Sequence, residues 1–464
     1  MKLKYLFSIW IGKILSWWLR WWKRGATALP GLVMSKVDRD VLRSIMRNVK
    51  FGSIVITGTN GKTTTARLIS SILDRNGYTV LSNASGSNLE RGILSSLVEH
   101  VDWRGNVEGD IAVLEIDEAE LKNVIDKIYC RRLVVTNLFR DQLDRYGELN
   151  KLRSLVGESV SKLDTGTRLI LNADDPLVRS LDRFASTDVE ISFFGMNDNL
   201  GSLIKDDVRD VPNCVICQKR IAYSNYYYSH LGNYKCEECG FERAKPDLSI
   251  KTLHLRGMNG SEFELDGREY TGWQMYIPIP GLFNIYNVLG ALLAVENLEI
   301  NQDLLIDSLV KFKPVFGRFE KFNLAGKDCF LMLSKNPTGF NEMIKIVLDN
   351  NELINVVFIL NDNYADGKDI SWIWDVNFES VKNRINWVAA AGNRAEELVL
   401  RLKYANLEMN RVGLEKDMRK LINDISAIDN NEPVFVLATY TGMFDFRSVL
   451  ESDGVAVQFW KDKI

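Results

Sequence analysis

The fold of the chain is decided by the stretch Ile54-Val55-Ile56-Thr57-Gly58-Thr59-Asn60-Gly61-Lys62-Thr63-Thr64-Thr65. A β-branched apolar run stops at a glycine, turns through a second glycine and continues as Lys-Thr-Thr-Thr into a helical pattern. Glycines in such a turn let backbone N–H groups point at phosphate oxygens, and the N-terminus of the following helix adds a partial positive charge. The stretch therefore predicts a strand, a phosphate-binding loop and a helix.

The expected nucleotide contacts come from the turn and the start of the helix, namely Gly58, Thr59, Asn60, Gly61, Lys62, Thr63 and Thr64. In phosphate loops the lysine reaches the β- and γ-phosphates, and the hydroxyl that follows it ligates Mg²⁺. The usual pattern has another glycine five residues before Gly61, where this chain has Ile56. A strand-turn-helix junction without a ligand is the alternative, but it would rarely place Gly-Lys-Thr at the helix start. We therefore predict binding of ATP and Mg²⁺.

The variant Thr-Gly-Thr-Asn-Gly-Lys-Thr-Thr at residues 57–64 resembles the phosphate loop of the Mur ligase superfamily. The resemblance implies a P-loop ATPase domain. Enzymes of this superfamily use ATP to convert a carboxylate into an acyl phosphate, which an amine then captures.

Length and composition are those of a globular protein with more than one domain: 464 residues, 46% hydrophobic and 26% charged. A chain of this length corresponds to about three domains. We predict an N-terminal helix with its lead-in at 1–49, a central ATP-binding domain at 50–313 and a C-terminal domain at 314–464. The net charge is −3, and the basic excess is confined to residues 1–50, with eleven Lys and Arg against two Asp. This distribution does not indicate a nucleic-acid partner.

Residues 5–22 form an apolar stretch with five tryptophans. Lys13 and Arg20 interrupt it, which disfavours a transmembrane helix, and no small-residue cleavage site follows, which disfavours a signal peptide. Two alternatives stay open: a helix that docks on the next domain, and a helix that contacts the inner face of the cell membrane through residues 1–24. In both cases we expect a cytoplasmic protein.

Between residues 51 and 312, apolar strand-like runs alternate with helical patterns, which predicts a parallel α/β sheet. The runs 53–56, 111–116, 133–135 and 168–171 end in polar residues, and the carboxyl ends of parallel strands are where ligands bind. Glu115 lies at one such end. We predict Glu115 and Thr63 as Mg²⁺ ligands, since hard cations take oxygen ligands; a solvated acid at a strand end is the alternative for Glu115.

Other segments resemble the Mur ligases as well. Residues 136–145 match the Thr-Asn…Asp-His-Leu-Asp segment of the family, except that Gln142 stands where the family usually has a metal-ligating histidine. This departure weakens the prediction of a second Mg²⁺ site. No lysine securely matches the one that many of these ligases carbamylate, and Lys151 is only a neighbour. Residues 172–176, Asn-Ala-Asp-Asp-Pro, match a family turn that follows a strand.

Residues 280–287 resemble the Gly-x-His-Asn-x-x-Asn helix start of the same family, with Phe283 in place of the histidine. The resemblance implies that Asn284 faces the nucleotide and that Asn287 is structural. Residues 315–320 resemble the Gly-Arg-x-Glu junction, in which the arginine, here Arg318, helps to hold nucleotide or phosphate.

An insertion at about 205–245 carries the strongest metal signal, the pairs Cys214-Val-Ile-Cys217 and Cys236-Glu-Glu-Cys239 separated by eighteen residues. Two such pairs can supply four thiolates in a tetrahedral array, which is what a structural Zn²⁺ requires. Four ligands leave no open position, so we expect a zinc ribbon without a catalytic role. We expect His230 to be a surface or packing residue. Paired cysteines also suit a reducing cytoplasm better than a disulfide framework.

The C-terminal part repeats the alternation of strands and helices. Predicted strands at 330–333, 356–360, 387–391 and 434–438 are each followed by polar residues. We expect these four ends to meet at one edge of a smaller Rossmann-like α/β domain.

The four-cysteine insertion and residues 361–372, Asn-Asp-Asn-Tyr-Ala-Asp-Gly-Lys-Asp-Ile-Ser-Trp, together resemble the MurT family. Its members are the synthetase subunits of glutamine-dependent lipid II isoglutaminyl synthases, enzymes of peptidoglycan biosynthesis. The resemblance covers nearly the whole chain. It implies that ATP phosphorylates the α-carboxylate of D-glutamate in the lipid II stem peptide and that ammonia displaces the phosphate to give D-isoglutamine.

Ammonia must then come from elsewhere, because a glutaminase needs an activated nucleophile. The chain has three histidines, and neither Cys130 nor Cys329 lies in a recognisable nucleophile turn. The resemblance implies a GatD-type glutaminase partner and an acid of this chain that orients the partner's histidine. Asp366 is the first choice, with Asp362 and Asp369 as alternatives; from the residues alone, a solvated acidic turn or a metal-like loop is favoured over this role.

Two other functions remain open. One is a ligase that adds an amino acid instead of ammonia, as folylpolyglutamate and Mur synthetases do. The other is a nucleotide-binding zinc-ribbon scaffold without turnover. Glutamine-dependent phosphate release would exclude the first, and substrate-stimulated ATP hydrolysis would exclude the second.

Overall fold

Three helices precede two α/β parts in the chain. The computed structural model describes residues 2–21, 28–83, 87–140, 149–203, 211–313, 318–349, 353–429 and 432–456. The first helices are Lys2–Trp21, Leu29–Val37 and Val41–Met46. The first packs against the second, which packs against a helix of the central part, Glu90–Leu97. The helix predicted in the apolar stretch 5–22 is confirmed for residues 5–21, and one of its faces docks on the neighbouring helix, as the docking alternative requires.

The central part is built on a sheet of nine strands within the described residues. Six parallel strands come first: β1 (Ser53–Thr57), β2 (Val80–Ser82), β3 (Ile111–Glu115), β4 (Cys130–Val135), β5 (Arg168–Asn172) and β6 (Glu190–Met196). The insertion contributes a separate hairpin of β7 (Ala222–Tyr228) and β8 (Leu231–Lys235). The sheet is completed by β9 (Leu248–Leu255), β10 (Ser261–Asp266) and β11 (Gln274–Ile277).

The strand order is β11-β10-β9-β6-β5-β4-β1-β3-β2. The expectation of a wholly parallel sheet is wrong at one edge, where β10 runs antiparallel to both β9 and β11. Short connections such as 256–260 cannot make the crossover that parallel neighbours need, so these strands pair as hairpins. β1 lies between β3 and β4, where the order reverses, and ligands bind outside the carboxyl ends of strands at such a point.

Helices cover both faces of this sheet: Lys62–Arg75, Glu90–Leu97, Leu121–Val124, Leu149–Val160, Pro176–Arg179, Leu282–Val295 and Gln302–Val310. Side chains alternate along a strand, so β1 contributes to two cores. Ile54 and Ile56 pack in the core beneath Lys62–Arg75 and Leu282–Val295, whereas Val55 packs in the core on the opposite face. The strand that ends in the phosphate loop is thereby fixed from both sides.

The C-terminal part has a second sheet of six strands in the described residues. These are β12 (Arg318–Leu324), β13 (Lys327–Leu333), β14 (Ile354–Ile359), β15 (Ile385–Ala391), β16 (Val412–Glu415) and β17 (Val434–Ala438). Their order is β12-β13-β17-β14-β15-β16, and all but β12 are parallel to their neighbours. The four predicted strands are confirmed as β13, β14, β15 and β17, with their carboxyl ends at one edge.

The helices of the second part are Pro337–Asp349, Ala395–Tyr404, Met418–Ala427 and Tyr440–Ser452. They enclose two further cores, one on each face of the sheet. Residues 314–317 lie outside the described residues, so the predicted domain boundary at 313 stays a prediction. Among the described helices, none combines the length and the apolar character that a membrane crossing requires.

Candidate functional site

The phosphate loop follows β1 directly, as predicted. Gly58 and Gly61 have φ of 125° and 88°, and Gly61 is the N-cap of the helix Lys62–Arg75. A Cβ on Gly58 would lie 2.3 Å from Thr136 Oγ1, and one on Gly61 would lie 2.1 Å from Asn287 Oδ1. Both positions therefore require glycine for backbone conformation and for space. The cradle that these residues form suits phosphate oxygens at a helix N-terminus.

The segment after β4 supports the loop from behind. Asn137 Oδ1 accepts a hydrogen bond from the backbone N–H of Asn60 over 2.9 Å, and its Nδ2 donates to the Asn60 carbonyl over 3.1 Å. Thr136 Oγ1 donates to the same carbonyl over 2.7 Å. Thr136 and Asn137 thus fix the loop rather than face a ligand. Residues 141–148, which include Gln142, lie outside the described residues, and Lys151 is exposed on the helix Leu149–Val160.

The two predicted Mg²⁺ ligands lie side by side. Thr63 Oγ1 donates a hydrogen bond to Glu115 Oε2 over 2.7 Å. Neighbouring ligands of an octahedral Mg²⁺ ion lie about 3 Å apart, given metal–oxygen distances of about 2.1 Å. Asn83 holds the backbone of Glu115 at both ends, because its Oδ1 accepts from the Glu115 N–H and its Nδ2 donates to the Glu115 carbonyl. The oxygen pair fits a hard divalent cation.

Lys62 is buried within the loop beside an acid that the sequence analysis did not select. Its Nζ lies 3.3 Å from Glu118 Oε2 and also donates to the carbonyl of Gly58. Glu118 is only 4% exposed, and a buried carboxylate requires a charged or hydrogen-bonding partner. Glu118 therefore holds the lysine cation at the loop.

A cleft separates the phosphate loop from the second sheet, and its empty space, with the open solvent at its mouth included, is about 830 Å³. On one side it is lined by Asn60, Gly61, Thr64 and Asn284, and on the other by residues 332–336 with the first turns of the helix Pro337–Asp349. Asn336 Nδ2 donates to Asn60 Oδ1 over 3.2 Å and so joins the two parts.

Asn284 and Asn287 lie in different surroundings. Asn284 lines the cleft and donates to the Pro280 carbonyl over 2.6 Å. Asn287 is buried between Asn284 and Thr65 and accepts from the Thr65 hydroxyl over 3.3 Å. The apolar wall includes Phe283, whose ring is nearly parallel to that of Phe319 at 6.5 Å between centroids. Arg318 begins β12, but its side chain lies outside what the structure describes.

The four paired cysteines form one cluster, with all Sγ atoms within 4.8 Å of one another. Cys214 and Cys239 are 3.6 Å apart, and Cys217 and Cys236 are 3.5 Å apart. Tetrahedral zinc–sulfur bonds of about 2.3 Å place sulfurs about 3.8 Å apart, so the geometry fits Zn²⁺. Backbone N–H groups of Cys239 and Glu238 lower the pKa of Cys236 to about 7, whereas burial raises the pKa of Cys214 to about 12.

The two cysteine turns have the same backbone design. The residue four positions after the first cysteine of each pair, Gln218 or Gly240, has a positive φ, 63° and 70° respectively. The N–H of each donates over 2.9 Å to the carbonyl of that first cysteine, Cys214 or Cys236. The sequence analysis identified the four sulfurs but not the strained backbone at Gln218. A positive φ favours glycine, and only the second turn has a glycine at this position, Gly240.

The tip of the ribbon hairpin is part of the cleft wall. Tyr228 lines the cleft and packs edge-on against Tyr286 of the helix Leu282–Val295, with 5.6 Å between centroids. His230 is 0% exposed, with its ring 4.8 Å from that of Phe139 and its Nε2 3.3 Å from Asp175 Oδ1. We expected His230 to be a surface or packing residue, and its burial against Phe139 makes it a packing residue.

The Asn-Ala-Asp-Asp-Pro turn anchors this hairpin to the central part. Asp174 accepts hydrogen bonds from the Tyr286 hydroxyl, from Arg243 Nε and from the Met196 N–H, each over 2.6–2.8 Å. Its backbone carbonyl accepts from the Gly232 N–H of β8 over 2.9 Å. Burial raises the pKa of Asp174, while Arg243 counteracts that increase. One buried acid therefore joins the ribbon, the sheet and the helix of the cleft.

The three acids of residues 361–369 lie in different surroundings. Asp366 is 4% exposed and accepts from both the N–H and the hydroxyl of Thr441. Asp362 is 9% exposed and accepts from Arg394 over 2.6 Å, and this hydrogen bond lowers its pKa. Asp369 is half-buried and accepts from the Ser371 N–H over 2.8 Å. Asp369 is the most accessible of the three.

Two family models match the chain, the Mur ligase middle domain over residues 56–295 and MurT ligase C-terminal over residues 333–443. Over 455 residues the chain is 34% identical to the lipid II isoglutaminyl synthase (glutamine-hydrolyzing) subunit MurT of Streptococcus pneumoniae. The aligned residues cover 97% of this chain and 98% of the Streptococcus pneumoniae subunit. The chain belongs to the MurT family of Mur ligases.

Other relatives agree with membership in the MurT family. The subunit of the same name from Staphylococcus aureus is 33% identical over 406 residues, or 86% of this chain and 87% of that one. Among solved structures, MurF from Acinetobacter baumannii superposes with a TM-score of 0.65 at 15% identity, covering 91% of this chain and 80% of that chain. At that identity the likeness shows the fold alone.

Sequence reasoning missed residues that act on this MurT-family site from a distance along the chain. Glu118, Asn83, Tyr228 and Asp174 were not given roles at the cleft. The role of Glu118 could have been inferred from its position just after β3, next to Asp117. A second acid close to a predicted metal ligand can also pair with the loop lysine.

Proposed function

We propose that the chain is the ligase subunit of a glutamine-dependent lipid II isoglutaminyl synthase. In this reaction ATP transfers its γ-phosphoryl group to the α-carboxylate of D-glutamate in the stem peptide. Ammonia then attacks the acyl phosphate, inorganic phosphate leaves, and D-isoglutamine remains. The observation that carries the proposal is a phosphate loop with its Thr63–Glu115 oxygen pair, facing across one cleft a domain matched as MurT ligase C-terminal.

We assign the phosphate contacts to the loop N–H groups and Lys62, and the Mg²⁺ contacts to Thr63 and Glu115. When bound, the ion withdraws charge from the phosphoryl oxygens. Lys62 is held beside the loop by Glu118, so its cation needs little reorganisation to meet a phosphate. Asn284 and Arg318 are proposed to contact the nucleotide.

The four-cysteine cluster is proposed to hold one structural Zn²⁺. Its geometry fits zinc, and four thiolates complete the tetrahedron, so the ion has no open position for catalysis. Its contribution is to fold the ribbon whose tip forms part of the cleft wall.

Ammonia is proposed to come from a separate glutaminase subunit of the GatD type. Cys130 and Cys329, the two cysteines outside the cluster, are buried, and burial raises the pKa of both, that of Cys329 to about 12. Neither thiol would supply a thiolate at neutral pH, and the thiolate is the nucleophile in cysteine glutaminases. The chain therefore needs an external source of ammonia.

An acid of residues 361–369 is proposed to orient the histidine of that partner. A carboxylate that serves another subunit must be reachable, and both oxygens of Asp366 are already engaged within the chain. Asp362 is paired with Arg394. The contacts therefore favour Asp369 over the first choice made from the sequence, with Asp366 ordering the segment by binding Thr441.

We also propose that the reaction takes place in the cytoplasm at the inner face of the cell membrane. The substrate is lipid-linked, so its headgroup and peptide are presented at that surface. Residues 1–24 are the candidate contact.

The function is tested by incubating the purified chain with ATP, Mg²⁺, lipid II and ammonium, and weighing the product by mass spectrometry. The expected product has the mass change of a hydroxyl replaced by an amino group on the glutamate. Parallel reactions with amino acids in place of ammonium should give no product. An amino-acid adduct would favour the amino-acid-adding ligase, and ATP hydrolysis that no substrate stimulates would favour the scaffold.

The partner role is tested with Asp369→Asn, Asp366→Asn and Asp362→Asn, each assayed with glutamine plus the glutaminase subunit and with ammonium alone. Loss of the acid that orients a catalytic histidine can cost about 10⁴ in rate. We expect Asp369→Asn to stop glutamine-driven amidation and to leave ammonium-driven amidation intact. Equal loss with both ammonia sources would place Asp369 in the ligase site. If none of the three variants separates the two assays, the cross-subunit role is wrong.

A further inference from the structure

The N-terminal helix Lys2–Trp21 carries large apolar side chains on its outer face. We define the tryptophan face by its members, all between 43% and 86% exposed: Leu3, Phe7, Trp10, Ile14, Trp17 and Trp21. In a helix of 3.6 residues per turn these positions fall within an arc of about 80° and extend about 27 Å along the axis. Such a long, continuous apolar surface marks an interaction site.

The opposite face of the helix makes the docking contact, and it combines the small residues Ser8 and Gly12 with Ile9 and Leu19. Ser8, Ile9 and Gly12 are buried. A Cβ on Gly12 would lie 2.3 Å from Met34 Sδ, so Gly12 lets the two helices approach closely. Surface helices normally bury their large apolar residues, whereas this helix buries Ile9 and Leu19 and leaves its tryptophans exposed. Docking accounts for the buried face and leaves the tryptophan face directed outward.

A loop of the central part extends the tryptophan face. Trp10 Nε1 donates to the carbonyl of Trp103 over 2.8 Å, and the Trp103 side chain is itself 58% exposed. Lys13 Nζ lies 5.6 Å from the centroid of the Trp103 ring. Tyr5 donates to the carbonyl of Gly105 over 2.8 Å and fixes the loop on the helix. The face is thus held rigidly with respect to the central sheet.

The charge pattern identifies what the face meets. Residues 1–24 hold six Lys and Arg and no acid, so they carry +6 while the rest of the chain carries −9, which together give the net charge of −3. On the helical wheel Lys4 and Lys13 lie on opposite sides of the tryptophan face. A helix with tryptophans on its outer face and cations at its borders matches a layer of anionic headgroups, where Trp rings and Lys or Arg side chains are both favourable. An apolar protein pocket would not complement the positive charge of residues 1–24.

We propose that the tryptophan face binds the headgroup layer of anionic phospholipids, with the helix lying in the plane of the membrane surface. The proposal extends the proposed function, because a lipid-linked substrate is then presented to a chain of fixed orientation. It stands on the helix alone and does not require that the ligase be active.

The test is flotation of the full chain with phosphatidylglycerol vesicles and with phosphatidylcholine vesicles, both free of lipid II so that the ligase cleft cannot hold the chain. We expect the chain to float with the anionic vesicles and much less with the neutral ones. Each cation removed in Lys4→Gln and Lys13→Gln should lower the partition coefficient about fivefold. Binding should weaken as salt rises.

The variant Trp17→Ser/Trp21→Ser should lose at least tenfold in partitioning. Trp374→Ser is the matched control, because Trp374 is a 49% exposed tryptophan of the C-terminal part and its loss should leave flotation unchanged. The proposal would be overturned if the wild-type chain floated with neither the neutral nor the anionic vesicles. It would also be overturned if the Trp17→Ser/Trp21→Ser chain floated as the wild type does.

Two further readouts identify other occupants. If the double tryptophan variant alters the molar mass of the chain in light scattering and no vesicle binds, the face joins two copies and the proposal is wrong. If it weakens only the complex with the glutaminase subunit, the face belongs to that interface and the proposal is equally wrong. Amidation of lipid II in detergent, measured alongside, separates the two proposals, since failed flotation with normal amidation removes only this one.

Discussion

Lys62 concentrates the charge of the candidate site in one side chain. It is 9% exposed, with Glu118 and the Gly58 carbonyl as contacts, at the start of a helix whose N-terminus faces the cleft. A cation placed in this way stabilises the charge that develops on a phosphoryl group in transit. Its substitution is therefore the most direct test of the loop.

We expect Lys62→Ala to keep the fold and to reduce amidation at least 100-fold, as expected for the loss of about 3 kcal/mol of transition-state stabilisation. Phosphate release and product mass give the rate, and circular dichroism checks the fold. Lys311→Ala is the control, because it removes a lysine of the same part that is paired with Asp307 far from the loop in sequence. Near-normal turnover of Lys62→Ala would show that the loop does not handle the phosphates.

At the residue scale, the sequence predicts the roles of adjacent residues in a pattern, but it does not predict contacts between residues far apart in the chain. Gly61, Lys62 and Thr63 carry a pattern of adjacent residues, and a strand-end acid such as Glu115 follows from topology. The contact of Asn287 with Gly61 joins residues more than two hundred positions apart, and the resemblance alone indicated that Asn287 is structural. The burial of Asp366 depends on Thr441, which no local pattern reveals.

Among the elements, the ribbon hairpin has the longest reach. Its cysteine end carries the four-sulfur cluster proposed to hold zinc, and its other end places Tyr228 at the cleft and His230 against Phe139. The spacing of the cysteines predicts the first end because four ligands must converge on one ion. The contact made by the second end could not be predicted, since the sequence does not show which of the three consecutive tyrosines at 226–228 lines the cleft.

We expect one zinc ion per chain, and we expect Cys236→Ser to give poorly soluble protein with substoichiometric zinc, because metal binding supplies folding free energy. The soluble fraction should show a raised KM for ATP, since the hairpin tip lines the cleft. Zinc is measured by atomic spectrometry. Cys329→Ala is the control: it removes a buried sulfur outside the cluster, and its zinc content should equal that of wild type. Zinc-free native protein would contradict the assignment.

On the scale of the whole molecule, the chain buries separate cores around two sheets, and the described contacts across the cleft include the hydrogen bond between Asn336 and Asn60. Parts with their own cores can unfold separately, and a ligand stabilises the part that binds it. The nucleotide should therefore affect the two parts unequally.

Calorimetry should show two unfolding transitions, of which ATP with Mg²⁺ raises the one of the central part. The expected gain is about 2.7 kcal/mol when the nucleotide is at 100 times its Kd. Hydrogen exchange assigns the transitions through peptides from β1 and its following helix and from β14 and β15. Lys62→Ala should lose the shift. A single transition that ATP does not move would show that the parts are not independent or that the loop is not the nucleotide site.

The buried hairpin tip also has a consequence for descent. A metal-binding insertion at the surface could be lost from a lineage without harm, but here deletion would open the space beneath Tyr286 and leave Asp174 without Arg243. The four cysteines, Tyr228 and Arg243 should therefore be inherited as a unit. If a lineage has lost the four cysteines, its sequences should have larger side chains at the positions around Tyr286. These substitutions should appear on the same branches of the phylogenetic tree as the loss of the cysteines.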